Sequence, residues 1–263
     1  MNLSLSIHMK AIQKLTLVFA SMVSVQGMAA DFSFDRPGDA FGTSITPVGH
    51  VAWEQSLPSV SYNETKIDGS KERTINYAAD MLFRTGLTDS LELQLGFDGP
   101  QWTDSTYRGK TTRSNGLGDV NIGLKQAIDM KDDKLSMAVL ARAQIATGNE
   151  PFTAHDDIYT LGTSLNYKYS DGLNTGMSMY YSMQNSNFAI TAVPNISYKI
   201  AGKLSGFSEF VYHKEESQRN EYGVNQGLMY ALNSRTQLDG SIGVDLNGDD
   251  KNYRAGLGVA FLF

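Results

Sequence analysis

The chain has 263 residues, is 41% hydrophobic, and carries 22 basic against 28 acidic side chains, a formal net charge of −6. Having no cysteine excludes a disulfide scaffold, a thiolate metal site and a cysteine nucleophile, and the acidic balance argues against nucleic acid as partner, which would need a Lys/Arg surplus. Only one apolar stretch begins to have the length of a membrane helix, and it lies at the N-terminus, so a multi-helix membrane protein is excluded.

Residues 1–30 read as a secretory signal peptide. Lys10 and Lys14 precede the apolar run Leu15–Val25, and small residues follow up to Ala29 and Ala30, either of which suits cleavage. A start at Met9 gives a leader of more ordinary length. Residues 31–49, rich in Gly, Pro and polar groups, read as a short periplasmic N-terminal segment; they are too few for a plug domain but long enough to tuck into a lumen.

From residue 50 on, the sequence repeats one form: about ten residues alternating apolar and polar, then a turn. Ile75, Tyr77, Ala79, Met81 and Phe83 share one face, with Asn76, Asp80 and Arg84 on the other. Leu91, Leu93, Leu95 and Phe97 then oppose Glu92, Gln94 and Asp98. The same rhythm gives segments near 50–62, 74–87, 91–98, 117–129, 135–147, 158–170, 173–184, 188–200, 204–213, 222–233, 236–247 and 252–263. Alternation of this kind makes strands with two unlike faces. The eighth segment contains Pro194, which predicts a bulge or a local edge. The ninth is the least regular, with Phe207 and Val211 on its polar face.

Short connections, such as Thr88-Asp89-Ser90 and Asp171-Gly172, alternate with long loops at Asn63–Arg73, Gly99–Gly116, Gly148–Asp157 and Lys214–Glu221. Asn185-Ser186-Asn187 is short where a long loop is due. The expected fold is all-β: a transmembrane antiparallel up-and-down β-barrel of about twelve strands over residues 50–263, with short turns on one side and long loops on the other.

Two features turn the apolar face outward, toward lipid. The polar face carries full charges at mid-strand, which suits a lumen. Aromatics also gather at both ends of the apolar face: Tyr77, Phe97, Tyr159, Tyr181, Tyr212, Tyr222 and Tyr253 beside the long loops, and Trp53, Phe83, Tyr167, Tyr169, Tyr198, Tyr230 and Phe263 at the opposite ends. Two such belts match the two interfaces of a bilayer. The last strand alternates from Tyr253 to the terminal Phe263 and resembles the recognition signal of bacterial outer-membrane proteins. That resemblance implies the barrel-assembly machinery as a partner, with outer-membrane lipid and lipopolysaccharide as surroundings.

Motifs for chemistry are sparse. No H-E-x-x-H, G-x-S-x-G or P-loop occurs, so no catalytic, metal or cofactor residues are assigned. Asp245-Leu246-Asn247-Gly248-Asp249-Asp250 loosely resembles a calcium loop but lacks its glycine and final glutamate, and reads as a hairpin tip. His213 with Ser217 is the one pairing that a lipase site would use, and no surrounding motif supports it.

The inward face is more informative. It is acidic at Glu54, Asp80, Glu92, Asp98, Asp119, Glu209, Asp239 and Asp245, and basic at Arg84, Lys125, Arg142, Lys168, Lys199 and Arg254. These charges either pair to fill the interior or set what passes through it. Asp80, Arg84, Glu92, Arg142, Lys168 and Asp245 are the candidates for lining a passage. The expected activity is passive uptake of small solutes in the outer membrane of a Gram-negative bacterium, without enzymatic chemistry; the alternatives are a closed structural or adhesive barrel and, third, a lipase.

Asp35-Arg36-Pro37, Thr46-Pro47-Val48-Gly49-His50 and Gly116-Leu117-Gly118-Asp119-Val120 resemble a family of outer-membrane proteins named for the meta-cleavage pathway of phenol degradation. The resemblance covers nearly all of residues 31–263. It implies a transporter-like barrel taking up small aromatic or hydrophobic compounds, and supplies no catalytic or binding residues.

Overall fold

Period-two alternation over a dozen segments leaves each strand with neighbours on both edges, and the computed structural model, which describes residues 32–246 and 250–263, joins them all into one sheet. In chain order the strands are β1 (Val51–Ile67), β2 (Ser70–Ala78), β3 (Met81–Gly86), β4 (Leu91–Phe97), β5 (Pro100–Tyr107), β6 (Lys110–Leu117), β7 (Val120–Ile128) and β8 (Leu135–Ile145). They continue as β9 (Ile158–Ser170), β10 (Leu173–Gln184), β11 (Asn187–Ala201), β12 (Leu204–Glu215), β13 (Asn220–Asn233), β14 (Thr236–Asp245) and β15 (Lys251–Leu262). All pairings are antiparallel. β15 returns to β1, from Ala52↔Leu262 to Glu64↔Lys251, so the sheet closes. Closure leaves no sheet edge to be satisfied in lipid. The signal-peptide residues lie outside the described part of the chain.

Fifteen strands make a barrel of twelve. β2 and β3 both pair with β1, β5 and β4 pair in turn with β2 and β3, and β6 and β7 with β5 and β4. Each couple is one barrel strand interrupted for two residues, at Ala79-Asp80, Asp98-Gly99 and Gly118-Asp119. With the register shift between Ser56 and Ser59 in β1, these breaks form a line across four adjacent strands. The ladder is kept across the line by backbone bonds from Ser56 N to Asp80 O (2.9 Å), Asp98 N to Asp119 O (2.9 Å) and Gly118 N to Gly99 O (2.8 Å). The Gln55 side chain adds its amide nitrogen to the carbonyls of Ser56 and Asp80. Gly99 has φ +73°, and a Cβ there would run into the Ala79 carbonyl, so only glycine serves.

Two of the expected long loops are instead upright β-hairpins. β1 and β2 meet at Asp68-Gly69 (φ 48° and 73°), β5 and β6 at Arg108-Gly109 (φ 48° and 78°). Both φ values positive is what a two-residue hairpin of matching twist requires. These extensions carry polar and charged residues on both faces, so the apolar-polar alternation that marks the lipid-spanning parts is lost there. The Lys214–Glu221 connection also shortens, because β12 runs to Glu215 and β13 starts at Asn220. Asn185-Ser186 does form a tight turn.

Pro194 makes no bulge, but it does make a local gap: it pairs with Met177 of β10, while the β11–β12 ladder lapses at Val193 and Pro194 and resumes at Asn195↔Glu209 in the register it had at Ala192↔Tyr212. Phe207 does point inward: it is buried and lies across Gly227 of β13, where a Cβ would collide with its ring.

The barrel is inside out relative to a water-soluble protein. Among the largest fully buried side chains are Arg84, Lys125, Glu54 and Glu92, while Leu95, Leu161, Leu228 and Leu257 stand exposed on the wall. Tyr77, Tyr159, Tyr181 and Tyr253 are exposed toward one end, and Phe83, Tyr167, Tyr230 and Phe263 toward the other. At the seam, Trp53 stacks on Phe83 (centroids 6.1 Å) and touches Phe261 (5.8 Å), which meets Phe263 (6.0 Å). This wall is suited to hydrocarbon between two interfaces.

Candidate functional site

The lumen is occupied from below by the segment that precedes β1. Among the described residues its backbone pairs with a strand at one bridge, Val48 to Gly86, and its polar groups are met by lumen side chains. Glu54 accepts the amides of Asp35 (3.2 Å) and Arg36 (2.7 Å), and Glu209, on the opposite wall, accepts those of Asp39 (2.8 Å) and Ala40 (3.1 Å). Thr46 donates its amide (2.6 Å) and hydroxyl (2.7 Å) to Glu92. Between these anchors Phe41 packs against Ala138, Leu140 and Tyr180, while its carbonyl accepts the Ser164 hydroxyl (2.7 Å).

Beneath the segment lies a dense ion network. Arg84 donates to Glu54 (2.8 Å), to Glu92 (2.9 Å) and to the carbonyls of Ser33 and Ser44 (3.2 Å each). Lys125 reaches Asp35 and Glu92, both at 3.2 Å. Two cations thus hold three carboxylates, one of them on the segment itself. Buried charges persist only when paired and hydrogen-bonded, and here every member is. Higher up, Arg36 of the segment contacts Asp239 (3.3 Å), Asp80 (3.5 Å) and the Ser56 hydroxyl (3.0 Å), and Ser56 in turn bonds Asp80.

From the outer side a second element folds in. The Asp119 carboxylate accepts the amides of Thr147 (3.0 Å), Gly148 (2.8 Å) and Ala154 (2.7 Å), the Thr153 hydroxyl (3.0 Å) and the Gln144 amide (3.2 Å). Gln184 donates to the Ala154 carbonyl (2.7 Å). The loop of residues 148–157 is therefore pinned across the mouth. Close approach explains the flanking glycines: a Cβ at Gly116 would press on Phe152, and one at Gly148 on the Leu117 carbonyl. The stretch Gly116-Leu117-Gly118-Asp119 is thus the anchorage of a constricting loop.

Two cavities remain. The outer one, of about 790 Å³, lies between loop and segment and is lined by Arg36, Asp80, Gln144, Phe152, Asn225 and Arg254 among others. The inner one, of about 520 Å³, is lined by Phe34, Phe41, Lys199 and Glu209 among others. Arg36 and Pro37 face both, so the segment is the partition between them.

The six candidate residues fall into different surroundings. Arg84 and Glu92 are wholly buried in the network under the segment. Asp80 borders the outer cavity, held by Ser56 and Arg36. Asp245 sits near the outer rim, accepting from Asn252 (2.6 Å) and Arg254 (3.4 Å). Lys168 is at the opposite end, paired with Asp171 of the turn (2.8 Å). Arg142 faces inward from β8 and makes no hydrogen bond or ion pair with the described residues. The structure does not bring His213 to Ser217: the His213 ring is hydrogen-bonded to Thr191 (2.8 Å). Residues 247–249 of the calcium-like run lie outside the described part.

Sequence reasoning missed Asp35, Arg36 and Asp39 as lumen residues. One clue was available: the inward face has eight acidic positions against six basic ones, and Arg36 makes up part of the difference.

No curated protein matches the chain. Among solved structures, an outer membrane channel from Pseudomonas putida F1 is 13% identical, with TM-score 0.61 over 86% of this chain and 100% of that one. The KdgM porin in complex with disordered oligogalacturonate is 15% identical, with TM-score 0.52 over 77% of this chain and 98% of that one. The translocator domain of the autotransporter NalP from Neisseria meningitidis is 9% identical, with TM-score 0.51 over 98% and 97%. What is shared at such identities is the fold, the closed outer-membrane barrel. With its lipid-suited wall, that fold places the chain in the outer membrane of a Gram-negative bacterium. Residues 34–263 match the family model described as "Putative MetA-pathway of phenol degradation", and the chain belongs to that family.

Proposed function

We propose that the barrel is a channel for passive uptake of small solutes, with the N-terminal segment as its inner constriction and the loop of residues 148–157 as its outer one. The observation that carries this reading is the pair of lumen cavities divided by that segment, whose attachments are mostly hydrogen bonds and ion pairs, with Phe41 packed on Ala138 and Leu140. Polar attachments of this kind can be exchanged for water, and that exchange is what would let a solute displace the partition.

A cavity of about 790 Å³ holds a molecule of one or two rings. The family description supports aromatic compounds as part of the solute range. Arg142, Asp80 and Asp245 are the residues proposed to meet a passing solute, Lys168 to act at the inner mouth, and Arg84 and Glu92 to hold the segment. The proposal includes no catalytic step. The terminal strand ending in Phe263 is the proposed handle for the barrel-assembly machinery.

The filled lower lumen favours one rival, a closed structural barrel. Single-channel recording of the folded chain in planar bilayers separates the two. Discrete openings, blocked by a phenol-sized solute, are expected of the channel. A folded barrel that stays silent, with the segment in place and with it cut away, would leave the structural reading standing.

A further inference from the structure

The hairpin of β1 and β2 carries a charge pattern on its outer face that the lipid-facing wall below it lacks. Going up that face, cross-strand pairs run Val60↔Tyr77, Tyr62↔Ile75, Glu64↔Arg73 and Lys66↔Lys71. On the other side Tyr62 faces Tyr253, and Glu64 faces Lys251. Apolar pairs thus give way to tyrosines and then, two residues further, to charges. Two strand residues span about 7 Å, which carries the charges from the aromatic belt to the level of lipid headgroups.

Three cations gather around one carboxylate. Glu64 accepts from Lys71 Nζ (2.7 Å), Arg73 Nε (2.9 Å) and Tyr62 Oη (3.1 Å), with Lys251 Nζ at 4.0 Å. The Glu64 side chain is only 10% exposed, while those of Lys71, Arg73 and Lys251 are 50 to 57% exposed. The carboxylate therefore fixes the cations from beneath and leaves their remaining donors pointing outward. Lys66 faces Lys71 directly, with no bond to the described residues, and like charges directly opposite each other are unfavourable unless an anion lies between them. In a chain of net charge −6, a +3 cluster at this height calls for an anionic partner.

We propose that Lys66, Lys71, Arg73 and Lys251 form a binding site for the phosphate groups of the outer-leaflet glycolipid, lipid A of lipopolysaccharide. Lysine and arginine are the side chains that hold phosphate, and the aromatic belt just below suits its acyl chains. The assignment rests on the outer-membrane placement but not on transport, because the cluster faces away from the lumen.

The test uses the full chain extracted from outer membranes in mild detergent, with bound lipid A counted by native mass spectrometry. The triple variant Lys66→Gln, Lys71→Gln, Arg73→Gln is expected to lower the bound fraction about tenfold. Added diphosphorylated lipid A is expected to rebind to the wild type, and dephosphorylated lipid A not to. Equal binding by the triple variant, or by the dephosphorylated lipid, would overturn the site. Displacement by millimolar inorganic phosphate alone would do the same, since the site would then be one for free phosphate. Heat-modifiable migration reports whether each barrel has formed. If the triple variant does not fold, Lys66→Gln alone keeps the test, because that side chain holds nothing else in place. Conductance should be the same in all variants; a silent wild type that still binds lipid A leaves this site intact while removing the channel.

Discussion

Asp119 on the barrel wall and Ala154 in the outer loop are joined by a 2.7 Å hydrogen bond, one of five that a single carboxylate accepts. Asp119→Ala removes all five acceptor contacts. The loop should then open more easily by about 3 kcal/mol, since hydrogen bonds to a charged group contribute roughly 1.5–3 kcal/mol each and several amides regain water on opening. Faster amide exchange at Thr147, Gly148 and Ala154 and a larger mean current are expected. Unchanged exchange at those amides would show that the loop is held by something else.

Arg36 is the segment's link to the far wall, through Asp239 and Asp80. Arg36→Ala leaves both carboxylates without that cation and should loosen the partition between the cavities. The expected readout is a higher conductance with more frequent transitions. A current identical to wild type would mean that residues 34–42 do not limit passage.

Arg84 is a different case. It is wholly buried, and its removal would leave Glu54, Glu92 and Asp35 with only Lys125 among them. Breaking a buried ion pair from one side costs about 3–5 kcal/mol. Urea unfolding followed by gel mobility should show Arg84→Ala destabilised by that amount, and the segment released.

On the outer wall, Gln226 lies midway along β13 between Tyr222 and Tyr230 and makes no hydrogen bond with the described residues. A glutamine amide in hydrocarbon is a cost, so Gln226→Leu should stabilise the barrel by about 1 kcal/mol in lipid. Gln55→Leu, on the same outer face, should do the opposite, because Gln55 covers the Ser56 and Asp80 carbonyls at the line of breaks. Equal effects from the two substitutions would refute the distinction.

How much of this was legible in sequence follows from what lipid and water select. Where one face meets hydrocarbon and the other a polar lumen, as from Leu91 to Phe97, alternation is strict and the strand can be read directly. Above the bilayer the selection ends: Glu64, Lys66, Lys71 and Arg73 show no apolar face, and the hairpin they form is marked only by Asp68-Gly69. Pro194 interrupts one ladder, as its missing N–H requires, but the register continues past it, which local chemistry cannot foretell. The lumen candidates were readable as inward charges but not as partners, because Asp119 pairs with backbone amides that have no sequence signature and Arg84 with a segment that has no repeat.

The anchors of that segment also impose an order of events. Thr46 waits for Glu92, 46 residues later in the chain, and Arg36 for Asp239, 203 residues later. The barrel itself cannot shut until β15, the last of the strands described, reaches β1. A segment that comes before every strand is thus seated only once strands as late as β14 are in place, and a chain without β15 would have no seam to close the barrel around it.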